Sequence, residues 1–160
     1  EEYLFFASDR KGGFGKLDVW FCKRKPNGDF EKPVNAGKQI NSIDNEITPF
    51  YNSKSRELFF SSDWHPGFGG FDVFRAQVVD GNWQNVTHLG TKVNSSYDDY
   101  NFVYQSKKNK GYLTSNRAGG KGSEDIYSTT KITVAPIIVL LGFGLGIYAI
   151  MKKPTSDTEA

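Results

Sequence analysis

The sequence predicts an all-β fold of about three repeated units, followed by one C-terminal transmembrane helix. Three observations predict it. A 16-residue pattern occurs three times, the chain carries 15% aromatic residues and 17 glycines, and 20 residues without a charge follow residue 131. Short strands joined by tight turns suit the aromatic and Gly-rich composition better than a helical bundle does.

The repeat comes first along the chain. Its copies read FFASDRKGGFGKLDVW (5–20), FFSSDWHPGFGGFDVF (59–74) and YLTSNRAGGKGSEDIY (112–127), with offsets of 54 and 53 residues. Each copy has an apolar pair, then Ser with Asp or Asn, a Gly-rich tip, and Asp followed by a β-branched residue and an aromatic one. A period of this length indicates stacked supersecondary units.

Residues 44–92 show what one unit contains. Alternation of apolar and polar residues predicts strands at 47–51, 58–63 and 71–79, and the turn at 80–83 leads into a fourth strand. Four antiparallel strands in about 50 residues are typical of a propeller blade, whose faces bury aromatic side chains against neighbouring blades. The sequence therefore predicts a partial β-propeller of about three four-stranded blades over residues 1–130.

A ring normally needs four or more blades. Because the chain opens inside a repeat, with Phe5 already in the second strand of a unit, we expect the three blades to be part of a larger ring. The remaining blades would lie upstream, or a second chain would close the ring.

The motif as a whole resembles the WD40-like, TolB-type repeats called PD40, as found in envelope proteins of the Bacteroidota, including those fused to OmpA-like domains and those of the type IX secretion apparatus. The resemblance covers residues 1 to about 130 and implies a propeller. It implies no particular activity, because propellers host enzymes, scaffolds and binding modules. The sequence departs from the family in lacking an OmpA-like domain and in having a predicted membrane span.

That span is the second domain, predicted over residues 131–151. A helix of 20 residues is about 30 Å long, which matches the hydrocarbon core of a bilayer. One lysine precedes the apolar run and two follow it, so the positive-inside rule puts the tail at 152–160 in the cytoplasm. The prediction is thus a single-pass inner-membrane protein with its propeller in the periplasm.

The predicted helix also has a small-residue face. Gly142, Gly146 and Ala149 lie one turn apart, an arrangement that lets another helix pack closely.

Acidic residues are the main candidates for chemistry, and the repeat argues against it. Asp18, Asp72 and Asp125 occupy the same motif position, where an Asp can accept hydrogen bonds from the N–H groups of its own hairpin. Oxygen-bearing side chains at Asn45 and Glu46, and at Asp98 and Asp99 in the matching segment, allow a Ca²⁺ site, although solvated loop residues are the favoured interpretation. The prediction is no catalytic residue, no metal and no cofactor.

Partner binding is predicted at the tip of the second copy. Trp64, His65 and Pro66 stand where the other copies have Arg-Lys-Gly and Arg-Ala-Gly. A formal net charge of +2 gives no electrostatic case for nucleic acid, and the single cysteine, Cys22, excludes an internal disulfide.

The predicted function is that of a non-catalytic accessory or scaffold subunit of a membrane protein complex. It would contact other subunits through the propeller faces and the Gly-rich helix face. Two alternatives stay open: the propeller platform of an envelope hydrolase or peptidase with catalytic residues outside this chain segment, and a glycan-binding or sensor domain.

Overall fold

The computed structural model describes residues 2–130, which form ten strands and one 3₁₀ turn. The elements are β1 (Tyr3–Ser8), β2 (Asp18–Lys23), β3 (Val34–Asn35), β4 (Glu46–Asn52), β5 (Glu57–Ser62), β6 (Asp72–Val79), β7 (Asn82–His88), β8 (Asp99–Gln105), the 3₁₀ turn Ser106–Lys108, β9 (Lys110–Ser115) and β10 (Asp125–Thr130). The described chain is therefore all-β.

The strands form three separate antiparallel sheets in chain order. Sheet one is β1-β2-β3, sheet two is β4-β5-β6-β7 and sheet three is β8-β9-β10. Backbone hydrogen bonds join successive sheets: the Glu46 N–H donates to the Leu17 carbonyl at 2.6 Å, and the Asp99 N–H donates to the Phe71 carbonyl at 2.7 Å. The first strands of sheets two and three are thus each hydrogen-bonded to the hairpin of the preceding sheet.

Two hydrophobic clusters fill the spaces between the sheets. The first joins sheets one and two, and the second joins sheets two and three. Strand β5 belongs to both, because Leu58 and Phe60 lie in the first cluster and Phe59 in the second. All six residues of β5 are buried. Since burial of a Leu or Phe side chain contributes about 1.5–3 kcal/mol, Leu58, Phe59 and Phe60 make β5 central to the stability of the described chain.

The prediction of about three four-stranded blades in a larger propeller is wrong. Residues 2–130 form three separate sheets, only the middle one has four strands, and no closed propeller is present among them. Pro33 gives a physical reason why sheet one has no full-length outer strand: it stands where sheet two has Val86 and has no N–H for a ladder. The outer strand β3 is consequently two residues long, preceded by an isolated bridge between Arg24 and Phe30.

The membrane prediction also needs correction. Within residues 2–130, no helix is long and apolar enough to cross a bilayer, the longest helical element being a three-residue 3₁₀ turn. A single-pass inner-membrane protein with a periplasmic domain therefore has no support in the structure. The predicted span at 131–151, its packing residues Gly142, Gly146 and Ala149, and the tail at 152–160 lie outside the described residues.

Candidate functional site

The repeated aspartates hold the Gly-rich tips in shape. Each one accepts hydrogen bonds from two backbone N–H groups of its own hairpin. The donors are Phe14 (2.6 Å) and Gly15 (3.1 Å) for Asp18, Phe68 and Gly69 (both 2.8 Å) for Asp72, and Lys121 (2.7 Å) and Gly122 (3.0 Å) for Asp125. We call this arrangement the aspartate clasp. It satisfies backbone donors that the tight turn leaves without strand partners.

At two positions of the second tip, close contacts leave no room for a side chain, so only glycine fits. A Cβ on Gly67 would lie 2.1 Å from Asp72 Oδ2, so the clasp itself needs a glycine there. A Cβ on Gly69 would lie 2.0 Å from the backbone oxygen of Tyr97, in the loop that leads into sheet three. The tip is thus fitted both to its own carboxylate and to the next sheet.

In sheets one and two, the last residue of the outer strand, β3 or β7, also contacts the aspartate of the clasp. His88 Nε2 lies 3.1 Å from Asp72 Oδ1, and the Gly90 N–H donates to His88 Nδ1 at 3.2 Å. The side-chain nitrogen of Asn94 also lies 2.8 Å from His88 Nε2. In sheet one, Asn35 makes the equivalent contacts. Its Nδ2 donates to Asp18 at 2.7 Å, and its Oδ1 accepts from the Gly37 N–H at 2.8 Å.

The clasps present large apolar side chains to solvent. The tips and the adjoining loops of sheets one and two carry five of them, which we call the tip rim: Phe14, Ile43, Trp64, Phe68 and Tyr97, exposed by 52%, 61%, 52%, 51% and 44%. Phe14 and Phe68 occupy equivalent motif positions. In the third tip the equivalent of Phe14 is the charged Lys121. Exposed apolar residues at hairpin tips make this rim a candidate interaction surface.

The three residues predicted to contact a partner do not all face outward. Trp64 and Pro66 are exposed. His65 is half-buried, because its Nε2 lies 2.9 Å from the Ile40 carbonyl oxygen and its ring packs 5.3 Å from that of Phe74. Trp64 and Pro66 are therefore accessible to a partner, whereas His65 ties the tip to the loop before β4.

A groove between sheets one and two was missed by sequence reasoning. It has a volume of about 760 Å³. We call it the amide groove, because amide side chains and two aromatic rings line it: Asn35, Gln39, Asn82, Gln84, Asn85, Phe21 and Trp83. Its two walls are about 50 residues apart in the chain, and only the packing of the sheets brings them together.

The acidic residues that start β4 and β8 are buried, and each has its own set of hydrogen-bond partners. Glu46 is fully buried and accepts hydrogen bonds from the Ser42 and Ser62 hydroxyls at 2.6 and 2.7 Å. Asp99 is also fully buried and binds Ser95 and Arg117. Among residues 2–130, no three His, Cys, Asp or Glu side chains come together as metal ligands would.

Three titratable groups have displaced pKa values, each through a surface partner. A hydrogen bond to Glu124, with partial burial, raises the pKa of Tyr100 to about 12. Hydrogen bonding to Asp44 raises the pKa of Lys16, and hydrogen bonding to Arg24 lowers the pKa of Glu2. All three displacements move the pKa away from neutral pH.

The family described as "Protein of unknown function (DUF3098)" matches residues 119–154, a minority of the chain that begins in the third tip and includes β10. No curated protein matches the chain. The resemblance of residues 1–130 to PD40 repeats stays a prediction.

Proposed function

We propose that this chain is a non-catalytic protein-binding module, an accessory or scaffold subunit of a larger complex. The observation that carries the proposal is the tip rim. Phe14, Trp64 and Phe68 are each about half exposed. Aromatic side chains supply much of the binding energy in protein interfaces because they bury a large area with few rotatable bonds.

The contacts that hold Phe68 in place also favour a binding role for the rim. Phe68 projects from a backbone whose N–H is held by Asp72 at 2.8 Å, and its ring packs 4.5 Å from that of His88. A side chain fixed in this way loses less conformational entropy on association. The rim is thus pre-organised for a partner.

The test is a photoreactive residue at Phe68, in the chain expressed by the cells that naturally make it. Lys54 is the matched control position, because it is exposed in the turn between β4 and β5, at the opposite end of the sheet. We expect one cross-linked product of defined mass at position 68 and none at 54. Loss of the stoichiometric partner from a Phe68→Ser variant would support the proposal. A chain that purifies alone and cross-links nothing at 14, 64 or 68 would refute it.

A second candidate function is glycan binding, and the amide groove favours it. Asn and Gln side chains both donate and accept hydrogen bonds, as sugar hydroxyls do, and Trp83 offers an apolar ring beside them. Titration with an oligosaccharide array should then show binding that Trp83→Ala abolishes and Trp64→Ala leaves intact. Equal effects of the two variants would exclude the groove as the site.

A further inference from the structure

A second cavity continues the amide groove toward the second tip. It has a volume of about 480 Å³. Three residues line both cavities: Lys38, Gln39 and Asn85. Strand β7 forms one wall, from Trp83 in the amide groove to His88 in the second cavity. At about 3.3 Å per residue, this wall is about 16 Å long. We call the two cavities together the extended groove.

Both walls of the extended groove belong to segments inside the described chain. One wall is the end of β3 with the loop that follows it, residues 35–39. The other is β7, which is the fourth strand of sheet two. The groove therefore lies between the outer strands of two neighbouring sheets, both of which the structure describes.

The lining of the extended groove carries positive charge and, within the described residues, no carboxylate. Lys38 is exposed where the two cavities meet, and it forms no ion pair with any of residues 2–130. The carboxylate of Asp72, which contacts His88, is behind the lining, since Asp72 is only 1% exposed. An anionic ligand thus meets an attractive charge in the groove and no repulsive one.

His65 gives the second cavity a polar group of defined orientation. Its Nε2 lies 2.9 Å from the Ile40 carbonyl oxygen. Because a carbonyl oxygen only accepts hydrogen bonds, Nε2 carries the proton. Nδ1 has no partner among residues 2–130, so it offers its lone pair to a hydroxyl group of a ligand.

The amide side chains favour a sugar over other anions. Those of Gln39 and Gln84 have no hydrogen-bond partner among residues 2–130. Asn85 uses its Nδ2 to donate to Gln77 Oε1 at 3.3 Å, and its Oδ1 is left to accept. Each amide can both donate and accept, as a sugar hydroxyl can, whereas a phosphate or a carboxylate needs donors only. A ligand with both hydroxyl and carboxylate groups therefore matches the groove best.

We propose that the extended groove binds an acidic oligosaccharide, with the Lys38 ammonium on a uronic acid carboxylate and the amide side chains on the neighbouring hydroxyl groups. Trp83 contacts the apolar face of a sugar ring at one end, and His65 accepts from a hydroxyl at the other. The inference rests on the second candidate function, glycan binding at the amide groove. It adds the class of glycan and the residue that selects it.

The test is isothermal titration of the full chain with tetrasaccharides of galacturonate, mannuronate and glucuronate, and with their methyl esters, which keep the rings and remove the charge. We expect saturable binding of at least one acid that weakens at least about tenfold as the methyl ester, and equally with Lys38→Gln. Lys92→Gln is the matched control, because Lys92 is an exposed lysine in the corresponding loop between β7 and β8 and lines neither cavity. It should leave the affinity unchanged.

Equal affinity for the acids and their esters, or indifference to Lys38→Gln, would overturn the inference and leave glycan binding at the groove intact. Equal affinity for a tetra-aspartate peptide would also overturn it, since the groove would then recognise charge alone. If no sugar binds at millimolar concentration, charged or neutral, the inference and the glycan candidate both fail. The cross-link at Phe68 tests the tip-rim proposal independently of either result.

Discussion

Replacing Asp72 with Ala should destabilise the chain strongly, because one buried carboxylate serves three partners. Asp72 is 1% exposed, accepts the N–H groups of Phe68 and Gly69, and contacts His88. Truncation of a hydrogen bond to a charged group costs about 1.5–3 kcal/mol when its partner stays buried. The two N–H groups lie in an exposed tip, where water replaces the carboxylate in part, so about 1 kcal/mol for each of the three contacts is the appropriate figure. The expected loss in the free energy of unfolding is about 3 kcal/mol.

Urea unfolding followed by tryptophan fluorescence measures the loss, provided that the denaturant slope is unchanged. Asp125→Ala is the matched control. Asp125 holds two N–H groups of the third tip in the same way, but it is half-buried, and no histidine or asparagine contact to it is present among the described residues. We expect a loss of about 1–2 kcal/mol for this variant. Equal losses for the two variants, or a loss below about 1 kcal/mol for Asp72→Ala, would refute the clasp as a source of stability.

Three further outcomes are expected. His88→Asn should keep the free energy of unfolding within about 0.5 kcal/mol, because Asn35 makes the equivalent contacts in sheet one, whereas His88→Leu should lose about 2 kcal/mol; similar losses in urea unfolding would contradict this. Gly69→Ala should lose about 2–3 kcal/mol through its backbone clash, and Gly122→Ala, whose nearest neighbour is at 3.3 Å, less than about 1 kcal/mol; the reverse order would show that the tip relaxes freely. For Tyr100, the pKa of about 12 exceeds the unfolded value of about 10, so its contribution to stability is complete below pH 10 and is lost as the pH rises to 12. Melting temperatures should therefore fall less steeply over this range in Tyr100→Phe than in the unmodified chain, and parallel curves would contradict the shift.

The strands of the middle unit could be predicted from the sequence, because the residues that determine them are close together in the chain. Strands predicted at 58–63 and 71–79 correspond to β5 (Glu57–Ser62) and β6 (Asp72–Val79) within a residue at each end. Aromatic and β-branched residues bounded by a Gly-rich tip are sufficient for this, since a tight hairpin sets its own register. The length of the outer strand depends on residues outside the repeated motif: Pro33 shortens β3, although the motif at 5–20 matches that of sheet two.

The site was predicted less well, because its contacts join distant parts of the chain. His65 was expected at the surface with Trp64 and Pro66, but it bonds to the Ile40 carbonyl, 25 residues away. The amide groove was missed for the same reason, since Gln39 and Trp83 meet only after two sheets have packed. No pattern within one repeat encodes either contact.

The differences between the repeats locate function better than their shared residues do. The aspartate clasp occurs in all three tips, where it stabilises its own hairpin. It therefore cannot distinguish one tip from another. What varies is the outward side chain, which is Phe14, Phe68 or Lys121 in the three copies. A partner that distinguishes one tip from another would therefore have to contact these outward side chains.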